Sequence, residues 1–209
     1  MSNASPLRYL ALGDSYTIGT GATDDSHNYP SLLARKLRQA SGREVEVTNP
    51  AVNGFTTLDL IRNELPLVRR VKPELVTLLI GVNDLVQGRT PELYRDALVR
   101  IHDAISTRKL GPGRVVAISI PNWSVVPAAG DFGDRAKLRR LTETFNAIAE
   151  DEARRRGFDW VDITAVSTSE ERKAGWIADD RLHPGDTQYA AWAEVIWDAV
   201  KEAWTAVAS

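Results

Sequence analysis

The chain has 209 residues, 43% of them hydrophobic, which is enough for one sizeable core. Its formal net charge is -2 with both signs interspersed, which argues against a nucleic-acid-binding face or a polybasic membrane anchor. It has no cysteine, so a disulfide framework and a thiolate metal site are both excluded.

In chain order, residues 8–12 read as a buried strand running into Gly13. Residues 29–40 read as a helix with Leu32, Leu33 and Leu37 on one face and Gly42 as its stop. Residues 44–51 alternate through Val45 and Val47 and read as a strand. Residues 57–71 carry Leu58, Ile61, Leu65 and Val68 at helical spacing, with a bend or break expected at Pro66. Residues 75–80 form a near-continuous apolar run of strand length. Thr90-Pro91 reads as an N-cap with proline at N1, opening a helix to about residue 107. Residues 114–120 are a further strand, 122–133 a loop of glycine, proline and small residues, and 134–156 a long helix ended by Gly157. Residues 158–163 read as the last strand, 164–180 as loop mixed with short helix, and 184–207 as a terminal helix.

Strands alternating with helices predict an α/β fold: a three-layer α/β/α, flavodoxin-like arrangement of five parallel strands. Residues 6–209 are expected to form a single domain, with residues 1–5 a tag remnant or disordered N-terminus, since Ser2-Asn3-Ala4 reads as a cloning scar. No apolar run approaches the roughly 20 residues that span a bilayer, and no signal peptide is evident. A cytoplasmic location is the expectation, unless a native leader has been trimmed.

Four short motifs fall at predicted strand ends. They are Gly13-Asp14-Ser15, Asn53-Gly54, Gly81-Val82-Asn83-Asp84 and Asp180-Arg181-Leu182-His183. Taken singly each has a plain structural reading: Gly-Asp-Ser and Asn-Gly are common turns, Asn83-Asp84 suits a helix N-cap, and Asp180 with His183 suits a surface pair. In open parallel sheets, however, ligands bind outside the carboxyl ends of the strands, and all four motifs land on that one edge.

A serine hydroxyl needs a base to become a nucleophile. Of the three histidines, His27 lies in a polar loop and His102 on a mid-chain helix, both expected to be solvent-facing or satisfied structural groups; only His183 sits at the active edge. Asp180, three residues earlier, can reach one imidazole nitrogen, fixing the tautomer and leaving the other for Ser15. The N–H groups of Ser15 and Gly54 and the neutral side-chain amide of Asn83 would make a three-donor oxyanion hole. Glycine at 54 would let the backbone approach a ligand closely. Asp14 is read as holding the nucleophile turn. Asn122 and Trp123, after the fourth strand, are candidate substrate-binding residues, whereas Trp192 and Trp197 read as packing of the terminal helix.

These blocks resemble the SGNH (GDSL-type) hydrolase superfamily over nearly the whole chain. The first block reads Leu12-Gly13-Asp14-Ser15-Tyr16-Thr17-Ile18-Gly19, with tyrosine at 16 where the name-giving motif has leucine, a departure expected to leave the chemistry untouched. Asn53-Gly54, Gly81-Val82-Asn83-Asp84 and Asp180-Arg181-Leu182-His183-Pro184 match later blocks. The resemblance implies hydrolysis of esters or thioesters by a serine nucleophile, with no metal and no cofactor. Its spacing favours Asp180 over Asp179 as the partner of His183. The expected partner is a small-molecule ester, short-chain acyl or acetyl esters being favoured, with no nucleic acid and no integral membrane association; acyl thioesters and lysophospholipids are alternatives. A nucleotide-binding α/β protein is the distant alternative: Gly19-Thr20-Gly21 lacks the third glycine of the dinucleotide fingerprint, and no Gly-Lys-Ser/Thr follows. A catalytically silent carbohydrate- or lipid-binding relative would have no need of both Ser15 and His183.

Overall fold

The computed structural model describes residues 5–170 and 173–208; the scar reading at Ser2-Asn3-Ala4 lies outside them. Strand β1 (Leu7–Gly13) runs directly into the short helix α1 (Ser15–Ile18). Helix α2 (Tyr29–Ser41) is capped by the Asn28 side chain and stopped by Gly42 in the left-handed region. Strand β2 (Val45–Thr48) is shorter than the alternation predicts. It ends because the Asn49 side chain accepts from Ala51 N–H and donates to Thr17 O at 2.8 Å, turning the chain inward.

The stretch predicted to be helical with a bend or break at Pro66 is two helices, α3 (Thr57–Asn63) and α4 (Leu65–Val71). The break falls at Glu64, and Pro66 stands in the first turn of α4, where its missing N–H costs no helical bond. Strand β3 (Leu75–Leu79) is buried at every position and leads to α5 (Val82–Val86) and then α6 (Pro91–Ser106), which Thr90 caps as predicted. After β4 (Val115–Ile118) the predicted loop contains two 3-10 turns, Trp123–Val125 and Pro127–Phe132. Arg135 donates to the carbonyls of Ser124, Val126 and Pro127 at 2.7–2.9 Å, so this loop is tied down despite its small residues. Helix α7 (Arg135–Arg155), strand β5 (Asp159–Val161), the single turn α8 (Thr164–Ser167) and the terminal α9 (Asp186–Ala208) complete the described chain.

The five strands pair in parallel in the order β2-β1-β3-β4-β5, the flavodoxin-like order. Helices α2 and α9 pack together, while α6 packs on α3, α4 and α7. With β3 and β4 buried throughout, these two helix groups cover the sheet on both faces. The core stripe of α9 is Tyr189, Trp192, Ile196, Val200 and Trp204, all fully buried, and Trp204 Nε1 donates to Gly113 O at 2.9 Å. Trp197 is partly buried against the same core.

Candidate active site

Gly13 closes the β1–α1 turn. A Cβ there would stand 2.2 Å from Thr17 Oγ1 and 2.3 Å from Leu79 O, so only glycine lets the turn pack against β3. Asp14 caps α1, accepting from Tyr16 N–H at 3.1 Å. Burial pushes the Asp14 carboxyl up to about 7, against the pull of the Tyr16 N–H and with a contribution from Asp84. This is the turn-holding role the sequence predicts for Asp14. Ser15 is the first residue of α1 and is 5% exposed.

The Asn53-Gly54 turn follows β2, with Phe55 N–H donating to Val52 O at 3.2 Å and Thr20 Oγ1 donating to Asn53 Oδ1. Gly54 has φ +81, and a Cβ would meet nothing within 4 Å. The left-handed backbone favours glycine here, and no protein atom fills the space a Cβ would take. Asn83 lies in α5, after β3. Its Nδ2 donates to Phe55 O at 3.0 Å and reaches Asp14 Oδ2 only at 3.5 Å. The amide therefore bridges the loop after β2 and the β1–α1 turn, with one N–H weakly engaged.

The neighbouring Asp84 is not an N-cap. Gly81 begins α5 without a side-chain cap, and the buried Asp84 instead accepts from Thr57 N–H at 2.8 Å and Thr57 Oγ1 at 2.6 Å, pairing also with Arg89 at 2.8 Å. It anchors the start of α3 under the Asn53-Gly54 loop.

His183 is displayed by a hairpin. Gly185 N–H donates to Trp176 O and Ala178 N–H to His183 O, each at 2.9 Å, and Ile177 bridges Pro184 antiparallel. Arg181 at its tip has φ +64. Asp180 Oδ1 accepts the N–H groups of Leu182 and His183, both at 2.9 Å, while Oδ2 accepts from His183 Nδ1 at 2.6 Å. Burial raises the Asp180 carboxyl, but the N–H of His183, its imidazole and the N–H of Leu182 outweigh it and hold the group below its ordinary value. Asp179 is exposed.

The hairpin is docked against α1 and the loop that follows it. The Tyr16 ring meets the His183 imidazole edge-on at 5.9 Å between centroids and Trp192 at 5.7 Å. The aromatic ring at position 16, where the name-giving motif has leucine, thus packs against the His183 imidazole. Thr23 donates from N at 2.8 Å and from Oγ1 at 2.5 Å to Asp186, and Tyr189 OH donates to Thr20 O at 2.9 Å. Gly21, φ +91, lies where a Cβ would be 2.5 Å from Pro184 O and 3.1 Å from His183 Cβ. Sequence reasoning used Gly21 only to test for a phosphate loop; its spacing gave no sign of this contact. No hydrogen bond joins Ser15 Oγ to His183 among the described residues; such bonds tighten in the substrate complex.

Trp123 is 2% exposed, with Nε1 donating to Thr142 Oγ1 at 3.2 Å and its ring edge-on to Phe132. It is largely core, though it walls a small cavity with Tyr16, Asn122, Leu182 and Pro184. Asn122 Oδ1 accepts from Ser124 Oγ at 2.7 Å, and Asn122 also borders a depression of about 250 Å³ towards Arg139, Glu143 and Thr168. His27 is half-buried and pairs with Asp24 at 3.0 Å. His102 is neither solvent-facing nor satisfied: it is fully buried, and neither ring nitrogen has a hydrogen-bond partner at good geometry. Burial pushes it down to about 4, with the Glu152 backbone close enough to oppose that shift. Among the described residues no group of three or more His, Asp or Glu is placed to hold a metal ion, and no helix is long and apolar enough to cross a membrane.

The family model for the GDSL-like lipase/acylhydrolase family matches residues 11–191. The chain is 28% identical over 179 residues to an arylesterase of Vibrio mimicus, covering 85% of this chain and 80% of the relative. It is 26% identical to a lipase of Streptomyces rimosus, covering 81% and 75%. A family 3 carbohydrate esterase of Clostridium thermocellum has the same fold, with a TM-score of 0.76 at 19% identity over 98% of this chain and 100% of that one. The chain belongs to the GDSL-like lipase/acylhydrolase family and is a carboxylic-ester hydrolase.

Proposed function

We propose that this hydrolase cleaves esters of short acyl chains through an acyl-enzyme on Ser15. His183 takes the Ser15 proton as Oγ attacks the ester carbon, and the C=O electrons move onto oxygen. The N–H groups of Ser15 and Gly54 and the Asn83 amide receive that oxyanion. Its collapse breaks the C–O bond, and the leaving alcohol takes the proton from His183. Water then attacks the acyl-enzyme by the same route, freeing the acid and Ser15. Asp180 orients the imidazole and stabilises its cation.

The observation that carries this reading is the Asp180–His183 bond in a hairpin packed on Tyr16, the residue next to Ser15. Exposed Val52, Val86, Val125 and Phe132 lie on segments following β2, β3 and β4, the strands whose carboxyl ends carry the proposed site. A chain-length series of p-nitrophenyl esters and matched thioesters tests the reading. Acetate and butyrate should turn over fastest, and an organophosphonate should label Ser15 and abolish the activity. Faster turnover of long-chain esters or of thioesters would overturn the substrate preference, and activity in Ser15→Ala would overturn the mechanism.

A further inference from the structure

Beneath the Gly13-Asp14-Ser15 turn lies a buried acid that the reaction above leaves unused. Glu64, at the junction of α3 and α4, is fully buried. Its Oε2 accepts Gly13 N–H at 2.9 Å, and its Oε1 is buried without a hydrogen-bond partner. The groups facing it are Asp14 from the β1–α1 turn and Tyr29 from α2, both buried. Beyond Asp14 stand Asp84 of α5, paired with Arg89, and Tyr94 of α6. Every facing group is thus neutral or acidic, and the Arg89 cation is already held by Asp84.

A carboxylate in that place would give up its hydration for a single N–H bond beside another acid, whereas a neutral acid avoids most of that cost. Burial pushes the Glu64 carboxyl up to about 8, opposed by the Gly13 N–H and reinforced by Asp14. With the proton on Oε1, Oε2 remains the acceptor for Gly13. Gly13 in turn has no slack against Leu79 and Thr17, so what holds its N–H holds the start of α1.

We infer that Glu64 is a positioning residue that works as an uncharged acid, fixing the Gly13 N–H and through it the backbone of Ser15. This inference rests on Ser15 being the nucleophile. Ionisation of Glu64 places a second charge behind Asp14, loosens the turn and lowers the rate of attack. Glutamine has the same shape and one acceptor for Gly13 but cannot ionise.

The test compares wild type, Glu64→Gln and Glu64→Ala in the full chain, measuring kcat and KM for p-nitrophenyl acetate from neutral to alkaline pH. Ser15→Ala serves as the blank. Wild-type kcat should fall as pH rises through about 8 while KM holds. Glu64→Gln should keep the wild-type kcat near neutrality and lack that fall. Glu64→Ala should lose about 10²-fold in kcat, the scale of a small misplacement of a reacting group; if it does not fold, the glutamine profile decides alone. Coincident profiles for wild type and Glu64→Gln, or an inactive Glu64→Gln at neutrality, would overturn the inference. Activity in Ser15→Ala is a separate outcome that removes the nucleophile reading and this inference with it.

Discussion

His183 Nδ1 and Asp180 Oδ2 lie 2.6 Å apart, and the other oxygen of the same carboxylate accepts the backbone N–H of His183 at 2.9 Å. One side chain therefore fixes both the ring and the backbone of the residue it serves. The arrangement is local, closing within three residues, and it forms when the hairpin forms.

Asp180→Asn should lower kcat by about 10³–10⁴ while the fold persists, because the amide can present a donor to Nδ1 and impose the wrong tautomer. Asp179→Asn should leave the rate unchanged, since Asp179 is exposed. Steady-state kinetics on both variants check this, and equal losses in the two would remove Asp180 from its role.

Asn83→Ala should cost about 10²–10³ in kcat as an oxyanion donor is lost. It should also lower stability by about 1 kcal/mol, because Phe55 O loses its donor. Asn83→Asp keeps the shape but sets a negative charge near Asp14 and should be the slower of the two. An unchanged kcat in either variant would take Asn83 out of the oxyanion hole.

Gly21→Ala should disturb the base from the far side of the site, because the new Cβ would collide with Pro184 O. Gly42→Ala is the matched control: its φ is +69 with nothing within 4 Å, so it should lose only the left-handed strain of about 1–2 kcal/mol and keep wild-type kcat. Thermal melts with kinetics separate the two. Equal losses of stability and unchanged kcat in Gly21→Ala would show that the contact with the His183 hairpin is inert.

His102 links stability to pH. Its folded value is pushed down to about 4 from the ordinary 6.5, so between those values the unfolded chain binds a proton that the folded chain does not. Its contribution is complete above 6.5 and is lost as pH falls through about 4, at most about 3 kcal/mol. Asp14 and Glu64, both raised by burial, act in the opposite sense and cancel when variants are compared. The Tm of His102→Leu relative to wild type should therefore rise as pH drops through that window. A difference independent of pH would show that His102 does not titrate there.

Much of the fold was legible because its signals are local. The apolar run of β3, the Thr90-Pro91 start of α6 and the Trp-rich stripe of α9 each reflect a period or a cap within a few residues. The boundary that failed depended on a single side chain with a distant partner: Asn49 ends β2 by reaching Thr17, whereas the break expected at Pro66 falls two residues earlier, at Glu64.

The sequence by itself determined the five-strand α/β order and the placing of Ser15, Gly54, Asn83 and His183 on segments at one sheet edge. Alternation, turn chemistry and the strand-end rule act over short stretches of chain. The tertiary structure alone decided that Tyr16 packs on His183, that Asp84 anchors α3 and not its own helix, that Trp123 is mostly core, and that Glu64 lies buried against the β1–α1 turn. Each of these joins residues far apart in the chain through burial and hydrogen bonds across layers, and no local pattern encodes which distant group a side chain will meet.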